Sequence, residues 1–117
     1  MAQDIVVKLT ADFFKTLSHP VRIKILHSLE QGERCVCELI EEIDIEQSNL
    51  SQHLGLMKKQ GIIDSRKEGQ KVMYHIVYPS VLEVVSAAER TLSEQIGQSN
   101  ALLKFLTPSI SPRDEIR

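Results

Sequence analysis

The chain has 117 residues, of which 42% are hydrophobic, 26% are charged and 4% are aromatic, and its formal net charge is −2. This length and composition predict one soluble, helix-rich domain, and they exclude a polycation that binds nucleic acid through its overall charge. Positive charge is nevertheless concentrated in residues 56–75, which contain five lysine and arginine residues against two acidic ones. Because local charge sets the attraction for phosphate, a phosphate-binding surface is expected in this segment.

The N-terminal sequence and the cysteine content favour a cytoplasmic protein. Met1-Ala2-Gln3-Asp4 lacks the basic segment and the apolar run of a signal peptide. No apolar stretch approaches the roughly 20 residues that a membrane-spanning helix needs, so no membrane partner is expected. Cys35 and Cys37 are too few for a disulfide framework, and we expect both to be reduced thiols, as is usual in the cytoplasm.

Apolar residues at helical spacing predict three helices before residue 44. The first covers residues 4–17, the second runs from Val21 to about Gln31, and the third runs from about Val36 to Ile43. Gly32 follows the second helix at a place where a glycine often ends one. Arg22 is expected on the outward face of the second helix, opposite its apolar residues.

A fourth helix is predicted within residues 46–60, where Leu50, Leu54 and Met57 form one apolar stripe. Its opposite face carries amide and hydroxyl side chains, and two lysines follow. Amides can bond adenine bidentately in a major groove, hydroxyls can bond either partner of a base pair, and lysines hold phosphate. This face suits the reading of base edges, but the solvated helix of an ordinary domain can have the same composition.

A tight turn at Asp44 and Ile45 joins the third helix to the fourth. Two short helices joined in this way, the second with a polar outer face, form a helix-turn-helix pattern. Glu46 stands where a serine, threonine or aspartate would usually cap the second of these helices. We therefore expect Asp44 or Ser48 to provide the cap.

After residue 61 the spacing of apolar residues changes to two, which predicts a β-hairpin. Its strands run from Ile63 to Lys67 and from Val72 to Tyr78, and Gly69 lies in the connection, where it can adopt a positive φ. Solvated hairpin tips are often basic, so the basic tip does not identify a function by itself. A basic hairpin directly after a helix-turn-helix, however, is typical of a winged helix, in which the hairpin is the wing.

A long last helix is predicted from Ser80 to about Gly97, with an apolar stripe along its length. This stripe and that of the first helix exceed what the core of one small domain needs, which predicts a two-fold homodimer formed by both helices. We expect one winged helix-turn-helix domain over residues 1–107 and a flexible tail over residues 108–117. The expected fold class is mainly α with a small β-hairpin.

Three segments are motifs of a known family: FKTLSHPVRIKIL at residues 14–26, ERCVCEL at residues 33–39 and QSNLSQHL at residues 47–54. Together they resemble the ArsR/SmtB family of metal-responsive winged-helix repressors, over about residues 8–97. The first segment matches the family's entry into its second helix, and the last matches its recognition-helix signature. The middle segment resembles the Cys-Val-Cys box of the family's arsenic, antimony, cadmium and lead sensors.

The resemblance implies a homodimer that binds an imperfect inverted repeat in double-stranded operator DNA, represses its own operon and releases the DNA when an effector binds. For His53, a partly packed residue that bonds phosphate or backbone stays an open alternative to a direct base contact. The family's DNA contacts correspond to residues of the recognition helix and the wing, namely Gln47, Ser48, Asn49, Ser51, Gln52, His53, Lys67, Gln70 and Lys71.

Cys35 and Cys37 are the candidate metal ligands. Thiolates select soft ions, so the pair favours As(III), Sb(III), Cd(II) or Pb(II) as the effector, and no constitutive cofactor is expected. The sulfurs can share an ion only if Cys35 lies just before the third helix, because residues i and i+2 of a helix do not converge. The arsenic branch often has a third cysteine where Ile40 stands here, so Glu38, His19 or a small external thiol would complete the site.

Two other interpretations of the cysteines stay open, a redox or electrophile sensor and a structural or vestigial pair. A disulfide across one intervening residue is strained, which counts against a simple oxidation switch. The family's zinc-type site between the long dimer helices is not expected, because residues 80–98 contain no histidine. For an ion at the two cysteines, we expect the start of the third helix to shift and to disturb the adjoining recognition helix.

A cysteine-dependent thiol-transfer enzyme and a winged helix that binds only protein are the rival functions. An enzyme would need a phosphate-binding loop or a base beside the thiol, and no glycine-rich loop follows either cysteine. We therefore expect no enzymatic activity. Steep weakening of duplex binding by added salt would separate DNA recognition from protein interaction alone.

Overall fold

The computed structural model describes residues 2–98, which fall into two compact units divided between Pro79 and Ser80. Each unit is described by itself. Residues 99–107 of the predicted domain and the predicted tail, residues 108–117, lie outside the described residues. The elements are α1 (Ala2–Leu17), α2 (Pro20–Leu29), β1 (Arg34–Cys35), α3 (Val36–Ile43), α4 (Gln47–Lys59), β2 (Ile63–Glu68), β3 (Lys71–Ile76) and α5 (Ser80–Gln98).

The helix α2 begins at Pro20, where the missing N–H and the fixed φ of proline suit a first helical position. His19 is its N-cap, and the Nδ1 atom of His19 accepts a hydrogen bond of 3.2 Å from the N–H of Val21. The helix ends at Leu29, two residues earlier than predicted. Gly32 has a φ of 134° but lies in the following turn, so the prediction that it ends the helix directly is wrong.

The turn between α3 and α4 differs from the prediction in its capping. Asp44 is the left-handed C-cap of α3, with a φ of 60°, and its N–H bonds the carbonyl of Ile40. Glu46 is the N-cap of α4 and makes no side-chain capping bond. Ser48 donates instead to the carboxylate of Glu46, at 3.2 Å. The expectation that Asp44 or Ser48 caps α4 is therefore wrong.

The sheet has three antiparallel strands in the order β1-β3-β2. The predicted hairpin is present with shifted ends, because Glu68 pairs with Lys71 and leaves a two-residue connection in which Gly69 has a φ of 65°. The sequence analysis did not predict β1, which pairs Cys35 with Met73 of β3. A two-residue strand is too short to show a period in the sequence.

The core of the first unit fixes the position of α4. The predicted stripe of α4 is buried, and apolar side chains of α2, α3 and β2 are buried with it. Burying each such side chain contributes roughly 1.5–3 kcal/mol to stability, so α4 is held by its inner face and its outer face stays free. The largest fully buried side chains are Ile25, Leu26, Leu39, Leu50, Leu54, Met57 and Ile63.

Apolar side chains are also exposed on α1. Leu9 is 60% exposed, and Ile5, Val6, Val7 and Phe14 are more than half exposed as well. In the second unit, α5 buries Val81 and Val85 and exposes Leu92. None of the helices among residues 2–98 is long and apolar enough to span a bilayer.

Together, α3, the turn, α4 and the β2–β3 hairpin form the predicted winged helix-turn-helix.

Candidate nucleic-acid interface and cysteine site

The outer face of α4 is polar in its first turns, and Leu56 is exposed further along the helix. Its first turns carry five exposed side chains with amide or hydroxyl groups. They are exposed because the apolar stripe, on the other side of the helix, faces the core. Gly55 lies further along the helix, and a Cβ atom placed there would have open space around it. This geometry can present hydrogen-bonding groups to the floor of a major groove. The five side chains are those of Gln47, Ser48, Asn49, Ser51 and Gln52.

His53 differs from these neighbours because it is only 8% exposed. It lies three residues after Leu50 and four before Met57, so it belongs to the buried side of α4. Its Nδ1 atom accepts a hydrogen bond of 3.1 Å from Nε of Arg22. The ring of His19 lies beside it, with 4.3 Å between the ring centroids and a tilt of 52°.

The sequence contained a signal for the burial of His53. Positions 50, 53, 54 and 57 follow the i, i+3, i+4, i+7 spacing of a core stripe, in which a histidine can stand for an apolar residue. The structure favours the open alternative that His53 is packed. Burial lowers the pKa of His53 below its ordinary value of 6.5, and the charges of His19 and Arg22 lower it further.

Arg22 was expected on the outward face of α2, and this prediction is wrong. Its side chain is partly buried, and besides the bond to His53 its Nη1 atom donates to the carbonyl oxygen of Thr16 at 3.0 Å. The planar guanidinium group, with its several fixed donors, can make both bonds at once. The sequence could not show this, because Arg22 and His53 are 31 residues apart.

The wing presents the other predicted DNA contacts. Lys67, Gln70 and Lys71 are exposed at or beside the hairpin connection. Near the base of the hairpin, Nζ of Lys58 at the end of α4 donates to Oγ of Ser65 in β2 at 2.8 Å. This bond joins the end of the recognition helix to the first wing strand.

Cys35 and Cys37 form a disulfide, with their Cα atoms 5.3 Å apart, and the expectation of two reduced thiols is not met in this structure. Cys35 is buried and Cys37 is exposed. The extended backbone of Cys35 lies just before α3, as the convergence of the sulfurs requires, and this position brings the Cα atoms within the usual range for a disulfide. The two cysteines are thus joined in this structure, although the sequence counted against a simple oxidation switch.

Cys35 is also the N-cap of α3. Its Sγ atom accepts a hydrogen bond of 3.3 Å from the N–H of Glu38, and the carboxylate of Glu38 accepts one of 3.0 Å from the N–H of Cys35. This reciprocal arrangement is a capping box, with sulfur in the place usually taken by a serine or threonine oxygen. The disulfide-bonded sulfur of Cys35 is therefore part of the first turn of α3.

Neither protein group proposed as a third metal ligand lies ready for that role. Glu38 is engaged in the capping box, and His19 lies beside His53 at the start of α2. Within residues 2–98, no group of three or more histidine, cysteine, aspartate or glutamate side chains is placed to hold a metal ion. After reduction of the disulfide, residues 2–98 would offer two thiolate ligands, which fit a soft ion only if small molecules complete its coordination.

An ion-pair network that the sequence did not predict joins residues 33–37, the cysteine segment, to the wing. Glu33 lies two residues before Cys35, and its carboxylate accepts bonds of 2.6 Å and 2.9 Å from the guanidinium of Arg66 in β2. Arg66 also bonds Glu68 near the hairpin tip, at 2.9 Å. The hydrogen bonds and the charge of Arg66 lower the pKa of Glu33, and the nearby His75 adds to this effect.

The sequence matches the family model described as the bacterial regulatory protein, arsR family, over residues 19–65. A regulator from Mycobacterium tuberculosis, the HTH-type transcriptional regulator Rv0081, is 37% identical over 91% of this chain and 94% of its own. The cadmium resistance transcriptional regulatory protein CadC of Listeria innocua is 40% identical over 62% of each chain.

Three solved structures of transcriptional regulators have folds similar to that of this chain. The crystal structure of Rv0081 superimposes with a TM-score of 0.74, at 38% identity, and covers 80% of this chain and 95% of that one. The transcriptional repressor BigR from Xylella fastidiosa gives a TM-score of 0.68 at 32% identity, over 78% of this chain and 95% of that one. The homodimeric winged helix-turn-helix domain of Mb0332 from Mycobacterium bovis gives 0.72 at 24% identity, over 82% and 89%, which shows the shared fold alone.

Proposed function

Because this chain belongs to the ArsR family of bacterial transcriptional regulators, we propose that it is a homodimeric repressor released from operator DNA by a soft metal or metalloid ion at Cys35 and Cys37. The observation that carries the proposal is the adjacency of two features in one helix-turn-helix. The exposed polar face of α4 suits base reading, and the two sulfurs meet at the start of α3, the helix directly before it.

DNA recognition is assigned to the exposed face of α4 and to the basic wing. Amides and hydroxyls on α4 can bond base edges, and Lys67 and Lys71 can bond phosphate on either side of the groove. A duplex selected by the protein from a random-sequence library provides the probe, and fluorescence anisotropy measures its affinity. We expect binding that weakens steeply with salt, and binding that is independent of salt would contradict the assignment.

A second copy of the chain is the proposed partner for the apolar face of α1. Five apolar side chains of α1 are more than half exposed, and a monomer would leave them in water. Two copies related by a two-fold axis would present two recognition helices to an inverted repeat. The homodimeric domain of Mb0332, which shares the fold, supports this assembly.

The effector is proposed to be As(III), Sb(III), Cd(II) or Pb(II), bound by the reduced cysteine pair. Two thiolates at one point favour soft ions, and the start of α3 stabilises thiolate through its free N–H groups and the helix dipole. A small thiol or water would complete the coordination. CadC, whose name records cadmium resistance, supports a soft ion as the effector class.

Release is proposed to follow from the capping role of Cys35. An ion bound by the sulfur would change the position and charge of the atom that accepts from the Glu38 N–H, and would thereby shift the first turn of α3. Leu39 and Ile43 are buried in the core shared with α4, so a shift of α3 is transmitted to the reading face. A coupling of about 1–3 kcal/mol would weaken operator binding by about 5–150-fold.

The test is a titration of arsenite or Cd(II) into the reduced protein–operator complex. We expect release with the wild-type chain and none with the Cys35→Ser/Cys37→Ser variant, which keeps an oxygen acceptor at the N-cap. Direct binding of the ion, measured by the ultraviolet absorption of the metal–thiolate bond, separates a failure to bind from a failure to couple. Release that persists in the double variant would sink the effector assignment.

The disulfide favours a second candidate effector, an oxidant. Here two thiols and one hydrogen peroxide would give the disulfide and two water molecules, and a reducing thiol would reverse the change. We expect a difference in operator affinity between the peroxide-treated and the reduced protein, reversed by dithiothreitol and absent from the double serine variant. Equal affinities of the two forms would exclude this candidate and leave the soft ion.

A further inference from the structure

We propose that Arg22 and His53 are a positioning pair that fixes the orientation of α4, and that His53 contacts neither base nor phosphate. The inference rests on the proposed DNA recognition by α4 but not on the effector. It assigns to His53 a role other than the DNA contact that the family resemblance implied.

The pair connects three helices of the first unit through hydrogen bonds. Arg22, in the first turn of α2, donates from Nε to Nδ1 of His53 at 3.1 Å and from Nη1 to the carbonyl of Thr16 near the end of α1 at 3.0 Å. Thr16 is itself buried, and its hydroxyl bonds the carbonyl of Asp12 one turn earlier. The middle of α4 is thus hydrogen-bonded to α2, which is bonded in turn to the last turn of α1.

The hydrogen bond of this pair adds a directional constraint to the apolar packing that holds α4. The buried Leu50, Leu54 and Met57 hold the inner face of the helix against the core, and hydrophobic burial itself has no directional requirement. A hydrogen bond to a planar guanidinium has strict distance and angle requirements. Because base reading needs each outer side chain at a defined height in the groove, a fixed rotation of α4 matters for recognition.

The surroundings of His53 favour a positioning role over a contact with DNA. Its side chain is on the buried stripe, Nδ1 is occupied by Arg22, and the ring of His19 covers it at 4.3 Å. Reaching a base would require that His53 leave this site and that Arg22, partly buried, lose an acceptor. The neighbouring Gln52 is exposed on the outer face and needs no such change.

The first experiment compares two replacements of His53 for their affinity to the selected operator duplex. His53→Asn keeps an acceptor near the position of Nδ1, whereas His53→Leu keeps volume and removes the acceptor. We expect His53→Leu to weaken binding by about tenfold or more and His53→Asn to stay within about threefold of the wild type. Equal losses in the two variants would overturn the positioning role.

The pattern of the loss separates positioning from base contact. Each variant is measured on a set of duplexes that differ from the operator by one base pair. A positioning defect weakens binding to every duplex by a similar factor, whereas removal of a base contact relaxes discrimination at one position. Gln52→Ala, on the outer face, is the control expected to show the single-position pattern. A single-position pattern for His53→Leu would overturn the inference.

A spectroscopic measurement tests His53 in the folded wild-type protein, and one variant of Arg22 then tests its partner. The nitrogen chemical shifts of the imidazole report which ring nitrogen carries the proton. We expect His53 to have an unprotonated, hydrogen-bonded Nδ1, unchanged when operator DNA is added. Arg22→Lys should shift this resonance. A shift of the His53 nitrogens on DNA binding that matches a new donor or acceptor would contradict the proposal, whereas no duplex binding at all would refute the proposed function instead.

Discussion

At the residue scale, a single histidine in α4 combines burial with a directional bond, and this combination controls its protonation. His53 is surrounded by the ring of His19 and the guanidinium of Arg22, so its neutral form is favoured in the folded chain. A protonated ring could no longer accept at Nδ1 and would face a fixed positive charge. His53 therefore links acidity to the stability of the helix-turn-helix.

The free energy of unfolding should fall as the pH is lowered through and below about 6.5. The pKa of His53 is lowered in the folded state, so the unfolded chain binds the proton first as the pH drops, and protonation favours unfolding. Above the ordinary pKa of 6.5 this contribution is fully present. Urea unfolding of the wild type and His53→Asn between pH 5 and 7.5 measures it. An identical pH slope in the two proteins would contradict the prediction.

Gly55→Ala should stabilise the chain by about 1 kcal/mol, because alanine is a better helix former and the added methyl meets no neighbour. The same variant should bind the operator more weakly, since the methyl group protrudes from the outer face of α4. Urea unfolding and anisotropy measure the two effects. Unchanged operator affinity in the more stable variant would contradict the placement of this face of α4 against DNA.

At the element scale, the cysteine segment contributes residues both to α3 and to the small sheet. Cys35 caps α3 and also pairs with Met73 in β3, so a change at one residue acts on a helix and on a wing strand. Glu33 and Arg66 join this segment to the other wing strand. The structure thus contains a second connection from the sulfurs to the DNA-reading surface, in addition to the packing of α3 against α4.

Glu33→Gln should reduce the effector's influence on DNA binding without abolishing effector binding. The variant removes the charge that holds Arg66, so the wing no longer follows a shift of β1. Because the pair is exposed and screened by solvent, its loss should weaken the coupling only in part, and the release factor should fall without disappearing. Ion-induced release, measured by anisotropy, checks this.

Glu42→Gln is the control for that experiment. Glu42 lies on α3 and pairs with Arg34 of β1, so this variant also removes one ion pair of the region but does not touch Arg66. It should leave the release factor unchanged. If Glu33→Gln and Glu42→Gln change the ion-induced release by the same factor, Arg66 does not transmit the effect of the ion to the wing.

At the scale of the whole molecule, the distribution of charge and of apolar surface bears on the proposed function. The net charge is −2, yet residues 56–75, from the end of α4 through the wing, are basic, so phosphate would be attracted more strongly there than the net charge suggests. Apolar residues of α1 are exposed within one chain. In the proposed dimer, a second copy would cover them.

Leu9→Glu should shift the dimer toward the monomer, because Leu9 is 60% exposed on α1 and a buried carboxylate would be costly in an interface. Operator affinity should fall with it, since two half-sites are no longer bound together. Analytical ultracentrifugation measures the mass, and anisotropy measures the affinity. Gln3→Glu adds the same charge to an exposed polar position of α1 and should stay dimeric. A monomeric wild type would refute the prediction from the start.

The sequence by itself determined the order of the helices and the hairpin, the buried stripe of α4 and the basic character of the hairpin, because these follow from the spacing and charge of residues within one segment. It also located the five outer side chains of α4 and the sulfur pair. Only the tertiary structure decided the bond between Arg22 and His53, the connection between Glu33 and Arg66 and the strand at Cys35. Those contacts join residues more than 30 positions apart, and no local pattern records which segments the fold brings together.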